Sequence, residues 1–439
     1  MRIVHINTAD NDGGAARAAF RLHTGLLEAG HDSHMLVGYR VEANRPDISA
    51  LRPSTLSRRA LRRLIGEVER LTGLQYMLLP WGRQILEHPS LEKADVIHLH
   101  NLHGGFFPTR ILPRLSRLAP LVWSVCDFWL MTGHCSYPSF VGCERWRTGC
   151  GQCPDLADFP AISVDTTRLL WRRKKILYSH CSGTVVAKSR WAFNLLTESP
   201  LLAGFEKAYI PNGYKTDVFR PVPRSIARQA LAIPEDALTV FLGAYDLSGP
   251  RKGAVYMLEA LEQVKADFPT LTLLAAGKDS DHLTAAFRNM KAHPLGILRS
   301  DPLLATCYSA SDVTVLPTLA DNSPNVMFES LSCGVPVVAF NVGGVPDAVR
   351  HMQTGYLAQL RDAHDLARGL SLLLSDGELR KQLGANARAM IVEEFSLQKQ
   401  VGRFLDLYSE TRERWSKSHS TVAVADLQEC TQATVRDVG

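Results

Sequence analysis

The stretch DVTVLPTLADNSPNVMFESLSCGVPVVAF, residues 312–340, decides the fold. Its β-branched run DVTVLP (312–317) reads as a buried strand. The segment after Pro324 reads as a helix that stops at Gly334, and VPVVAFN (335–341) reads as the next strand. A strand, helix and strand joined this tightly form a parallel pair with a right-handed crossover. The loop between strand and helix carries Asp321 and Ser323. Such a loop, at the carboxyl end of a parallel strand, is where open α/β sheets bind ligands, and the helix behind it offers free N–H groups and a positive dipole end.

The same alternation extends in both directions. Upstream, LTVFLGAY (from 238) and LTLLAAG (271–277) are strands of the same series, each followed by a helical pattern. A separate series begins at the N-terminus with RIVHIN (2–7), the pair Gly13 and Gly14, and the helical AARAAFRLHTGLLEAG. HMLVGYR, VIHLH (96–100), PLVWSVCDF (120–128) and GTVVAKS (183–189) continue it. Between the two series, IPNGYKTDVFRPVP (210–223) has the Pro and Asn-Gly punctuation of an interdomain crossing. The expected architecture is α/β, with a first Rossmann-like domain at 1–209 and a second at 210–396. A helix at 397–416 is expected to pack back on the first domain, and 417–439 reads as a polar, flexible tail.

At 439 residues two domains are the natural division. The 46% hydrophobic and 21% charged residues are ordinary for a soluble globular protein, which excludes disordered and membrane-embedded classes. A net charge of +5 is too small to indicate nucleic acid. No apolar run is long enough to span a bilayer and the start does not read as a signal peptide, so a cytoplasmic location is expected.

With Asp321 and Glu329 eight positions apart around this loop, the segment resembles the Glu-x7-Glu element of the family 4 retaining glycosyltransferases, whose two Rossmann-like domains face each other across a cleft in the GT-B arrangement. The resemblance implies a nucleotide-sugar donor bound mainly by the second domain. It assigns Asp321 to donor-sugar hydroxyls, Glu329 to ribose hydroxyls, and the backbone amides of Asn325, Val326 and Met327 to the phosphates, with Ser323 also among the donor-binding residues. Asp321 is one methylene shorter than the usual Glu. GAYDLSGPRKGAVYMLEAL (243–261) resembles the segment that opens the second domain. Ala244 stands where many relatives carry a basic residue, leaving Arg251 and Lys252 as the cations that neutralise a departing diphosphate. LGILRSDPLLATCYSASDV (295–313), including Leu298, resembles the segment that contacts the base, and IPNGYKTDVFRP carries Lys215 where an acid is usual. The resemblance implies no catalytic metal.

In the first domain, Gly13 and Gly14 permit close approach to phosphate or sugar at a helix start. HLHNLHGGFF and VWSVCDFWLMTGHCSYP also resemble family segments, but Cys126 replaces the His that commonly precedes Asp127. His103, His134 or Asp127 is left to serve the acceptor side, and the sequence does not choose among them.

Two further features stand apart from the donor motifs. Cys135, Cys143, Cys150 and Cys153 fall within nineteen residues, with one C-x2-C pair, and read either as a closed structural zinc site or as four reduced thiols. LSRRALRRLIGEVERLTGLQYMLLPW (56–81) aligns Leu56, Ala60, Leu64, Val68 and Leu71 beside Arg58, Arg59, Arg62 and Arg63, and WRRKKILY (171–178) adds a second basic run. These suit either peripheral contact with an anionic membrane on its inner face or two ordinary helices with solvated arginines.

The function expected is retaining transfer of a sugar from a UDP- or GDP-sugar to a glycan or lipid-linked acceptor in cell-surface polysaccharide synthesis, with Asp321, Arg251, Lys252 and Asp127 as the chemical residues. A nucleotide-sugar epimerase of the same fold, or a noncatalytic scaffold derived from it, are the alternatives.

Overall fold

The computed structural model describes the backbone of residues 1–51, 56–287 and 290–436, with side chains throughout these except 56–59 and 419–436. Two parallel sheets organise the chain. The first contains β1 (Arg2–Ala9), β2 (Asp32–Tyr39), β3 (Ile48–Ala50), β4 (Val96–Leu99), β5 (Leu121–Val125), β6 (Gly183–Ala187) and β7 (Glu206–Tyr209) in the order β3-β2-β1-β4-β5-β6-β7. The second contains β8 (Thr239–Asp246), β9 (Thr272–Lys278), β10 (Lys291–Gly296), β11 (Val313–Leu316), β12 (Val337–Phe340) and β13 (Gly355–Ala358) in the order β10-β9-β8-β11-β12-β13. Strands such as VIHL and VTVL are buried along their whole length, as a sheet covered by helices on both faces requires.

Each sheet reverses its winding once, between β1 and β4 and between β8 and β11. At such a reversal the two flanking crossovers leave on opposite faces, which opens a crevice beyond the strand ends. The loops that follow these four strands carry Gly13, His103, Arg251 with Lys252, and Asp321. Sheet topology alone therefore brings together residues that are up to 308 positions apart.

The terminal helix is Leu397–Arg436, so it includes most of the stretch expected to be an unpatterned tail. It packs on the first domain, where Leu397, Val401, Phe404 and Tyr408 join Ile3, Leu22 and Val186 in one apolar cluster. Gly25 makes the approach possible, since a Cβ there would lie 2.8 Å from Val401. Beneath this helix sit His5, His98 and His100, whose ring nitrogens come within 4.8 Å of one another. His98 Nδ1 meets the Tyr408 hydroxyl at 2.6 Å and its Nε2 meets Ser124 Oγ at 2.7 Å. His5 Nδ1 and His100 Nε2 share a hydrogen bond of 3.0 Å. No helix among the described residues is long and apolar enough to cross a membrane.

Burial depresses the basicity of all three imidazoles, His100 to about 3, with neighbouring imidazoles and Lys188 acting in the same direction. Below the ordinary imidazole pKa the unfolded chain therefore binds protons that the folded chain refuses. The stability is complete above that pH and is lost as pH falls. Denaturant midpoints measured from about pH 7.5 down to about 5 should show stability declining by up to about 1.4 kcal/mol per pH unit for each such histidine; a flat profile would contradict the neutral cluster.

Candidate functional site

A cleft of about 580 Å³ runs between the two domains and is lined by residues of both. The acidic loop forms one wall. Asp321 is 7% exposed, and its Oδ2 accepts from Lys252 Nζ at 2.6 Å and from Arg251 Nη1 at 3.4 Å. Burial alone would push the Asp321 carboxyl up, but Lys252 and Arg251 bring it net below its ordinary value, so it is ionised at neutral pH. Burial in turn lowers the Lys252 ammonium against the pull of Asp321. The Arg251 guanidinium lies 4.0 Å from the ring centre of Tyr137, in the opposite domain, so the cation Ala244 does not provide is clamped between a carboxylate and an aromatic face.

The helix Asn325–Ser332 starts behind this loop with no side-chain cap bond. Met327 does not face the cleft. Its side chain is fully buried in the core with Tyr214 and Phe328, and its N–H donates to Pro324 O at 3.2 Å. The helix-tip donors on the cleft side are thus the amides of Asn325 and Val326, whose residues, with Ser323 and Leu298, line the cavity. The Asn325 side chain donates to the Gly14 carbonyl at 3.0 Å, so the tips of the two ligand-facing helices meet across the cleft. At Gly13 the backbone turns with φ +84°, open only to glycine without strain, and nothing among the described residues lies within 4 Å of where its Cβ would stand.

Glu329 lines the same cleft, yet its oxygens already have partners. Arg21 of the first domain donates to Oε1 at 2.7 Å, and the Tyr308 hydroxyl donates to Oε2 at 3.0 Å. Both members of the Arg21 pair are nearly inaccessible, with side chains 5% and 3% exposed. Arg21 and Tyr308 escaped the sequence reading. The one signal for Arg21 was its place one turn after Arg17 on the helix that follows the glycine pair; Arg17 and Arg21 both reach Asp301 of the second domain. Asn322 was also missed. Its Nδ2 donates to Val125 O at 2.8 Å and its Oδ1 accepts from Ser189 Oγ at 2.7 Å, fastening the acidic loop to the first sheet. Lys215, found where an acid was usual, pairs with Glu28 at 2.7 Å.

On the first-domain side two of the three candidates left open, His103 and Asp127, line the cleft and His134 does not. His103 and Asp127 line the cleft, and the His103 Nε2–H donates to Asp127 Oδ2 at 2.7 Å. Asp127 Oδ1 accepts from the Trp129 N–H at 3.0 Å, while His103 Nδ1 has no hydrogen-bond partner among the described residues. Burial raises the Asp127 carboxyl, but His103 and that amide bring it net below the ordinary range. Cys126 lines the cleft as a neutral thiol, pushed up to about 12 by burial. His134 lies elsewhere: it is buried, with Nδ1 3.2 Å from Pro160 O and Nε2 3.4 Å from Cys153 Sγ. It belongs to the cysteine loop, where it shares the enclosure of the four cysteines. All four cysteines, Cys135, Cys143, Cys150 and Cys153, are free thiols around one small enclosure.

Residues 224–390 match the sequence model for glycosyl transferases group 1. A D-inositol 3-phosphate glycosyltransferase of Thermobispora bispora is 32% identical over 228 residues, 48% of this chain and 51% of that protein. The chain thus spans about half the length of that relative. The Escherichia coli protein named as a colanic acid biosynthesis glycosyl transferase, WcaC, is 24% identical over 366 residues, covering 77% of this chain and 83% of its own. Among solved structures, the sucrose-phosphate synthase of Thermosynechococcus elongatus superposes with a TM-score of 0.68 at 20% identity, over 93% of this chain and 99% of that one. HepE from Anabaena, solved with UDP and glucose, gives 0.66 at 16% identity, over 93% and 100%. These likenesses show the fold, two Rossmann-like domains facing each other in the GT-B arrangement.

Replacing Lys252 by Met leaves a buried Asp321 with only the longer Arg251 contact, and should lower the unfolding free energy by about 1–3 kcal/mol. Asp321→Asn in that background should recover part of the loss. Urea titration of the four proteins of this cycle checks the coupling, and strictly additive losses would show that the two side chains do not interact.

Proposed function

We propose that the whole chain is a retaining glycosyltransferase that moves a sugar from a nucleoside diphosphate sugar to a glycan or lipid-linked acceptor in cell-surface polysaccharide synthesis, a reading supported by the match of residues 224–390 to glycosyl transferases group 1. The observation that carries this proposal is the convergence of Asp321, Lys252 and Arg251 beside the tip of the helix Asn325–Ser332, with Glu329 in the same cleft.

The chemistry follows from that arrangement. Donor diphosphate accepts from the Asn325 and Val326 amides, and Arg251 and Lys252 offset the charge that builds on the phosphate as the glycosidic bond breaks. The Asp321 carboxylate, held ionised, accepts from donor-sugar hydroxyls. Glu329 has lone pairs beyond those used by Arg21 and Tyr308 with which to accept from ribose hydroxyls. Asp127 fixes the His103 ring through Nε2, leaving Nδ1 to receive a hydrogen bond from the acceptor. Among the described residues no side chain in the cleft is set up as a base-activated nucleophile. Front-face transfer, in which the departing phosphate takes the acceptor proton, accounts for retention.

The helix Leu56–Thr72 supports an acceptor held at an anionic membrane surface. Leu61, Leu64, Val68 and Leu71 are exposed on it beside Arg62 and Arg63, while Arg58 and Arg59 lie outside the described side chains.

Incubation with a panel of UDP- and GDP-sugars and with soluble or lipid-linked glycans, with and without anionic vesicles, tests the assignment. One donor should be consumed with acceptor and yield a product of unchanged anomeric configuration by NMR, and Asp321→Ala should reduce turnover by about a hundredfold or more. An isomerised donor formed without acceptor would identify an epimerase, and inert donors throughout would identify a scaffold.

A further inference from the structure

The loop of residues 133–160 contributes nothing to either sheet and is built mainly of short turns. Its four cysteines nevertheless share one enclosure of about 20 Å³, lined by Cys135, Cys143, Cys150 and Cys153 together with His134. We propose that this loop holds one structural zinc ion, bound as a tetrathiolate by Cys135, Cys143, Cys150 and Cys153, and that the ion fixes the first-domain wall of the cleft.

Three observations carry the assignment. First, all four thiols are free, and soft sulfur donors in a group of four suit tetrahedral zinc. Among the described residues no three of the sulfurs lie within 4.8 Å of one another. Coordination therefore requires side-chain rotation, and one switch between staggered χ1 wells carries a sulfur about 3 Å.

Second, the C-x2-C turn is held in an unfavourable backbone conformation. Gly149, Cys150, Gly151 and Gln152 all have positive φ, of 126°, 55°, 95° and 50°. Cys150 and Gln152 carry a Cβ that disfavours this region, and the turn directs both of its cysteines into the enclosure. Metal bonds at the two ends of the turn account for a geometry that its residue types do not favour.

Third, Lys174 is 5% exposed; its Nζ donates to the carbonyls of Trp129 and Thr132, at 2.5 and 3.0 Å, and lies 3.6 Å from the Trp129 ring centre. It forms no ion pair among the described residues; burial lowers its ammonium to about 7, and charge on Cys150 or Cys135 acts in the opposite direction. A buried ammonium calls for a counter-charge. As zinc binds, four S–H protons pass to water and four Zn–S bonds form, leaving the centre with a charge of −2 beside this cation. All four coordination positions are then filled by protein, so the ion takes no part in the chemistry.

The consequence reaches the cleft through the chain itself. Cys135 is followed by Ser136 and Tyr137, which line the cleft, and Tyr137 supports Arg251. Asp158, from the far end of the loop, accepts from the amides of both residues.

Elemental analysis of untagged protein purified without chelator tests the assignment independently of any transferase activity. One zinc per chain is expected, released on titration with a mercurial that blocks thiols, and Cys143→Ser should lose it. Should that variant fail to fold, cobalt substitution of the wild type gives the second readout, as intense thiolate-to-cobalt charge-transfer bands with tetrahedral d–d absorption. Wild-type protein without zinc, cobalt bound without those bands, or disulfide-linked peptides spanning these cysteines would overturn the proposal.

Discussion

Two carboxylates are buried in the walls of the cleft, and each is tenable there only with a cation against it. Asp321 takes its cations, Lys252 and Arg251, from its own domain. Glu329 takes its cation, Arg21, from the opposite domain. Charge balance at the second site is therefore a condition on how the domains sit together: moving them apart strips the partner from a carboxylate that is 2% exposed. Asn322 on Val125, Asn325 on Gly14 and Asp301 with Arg17 add neutral and charged contacts to the same junction. The closed cleft and the electrostatics of its second-domain wall are thus one arrangement.

Both halves of the site arise from one topological rule applied twice. Reversal of strand order between β1 and β4 places the Gly13 turn next to the His103 loop, and reversal between β8 and β11 places Arg251 and Lys252 next to Asp321. The crevice exists because crossovers leave on opposite sides, and the side chains that happen to stand on those four loops determine its chemistry. Here they supply an ionised carboxylate, two cations and a helix tip on one wall, and an imidazole oriented by a carboxylate on the other.

Much of this was legible in the sequence because it is local. Apolar runs bounded by Gly and Pro marked the major strands, while β3, β7, β10 and β13, short or half-exposed, lacked a clear run. The loop, helix and strand around Asp321 were marked by residue order, and the convergence with Arg251 and Lys252 followed from parallel topology. What the sequence did not show depended on direction or on partners distant in sequence. Met327 sits beside Val326 but, one helical step on, points into the core. His134 follows Asp127 by seven residues but lies beyond a turn, in the cysteine loop. Glu329 was assigned to ribose hydroxyls, and its additional pairing with Arg21, 308 positions away, has no local signature. The histidines of β1 and β4 gave no hint that they would seat the terminal helix through Tyr408.

On the proposed function, the helix tip at Asn325 and the cations of the β8 loop form a single pyrophosphate pocket. A crystal structure with a nucleoside diphosphate sugar decides whether they do. Diphosphate oxygens are expected within hydrogen-bond distance of the Asn325 or Val326 amide and of Lys252 Nζ or the Arg251 guanidinium, with the sugar beside Asp321. A diphosphate bound elsewhere, with these groups left facing water, would contradict it.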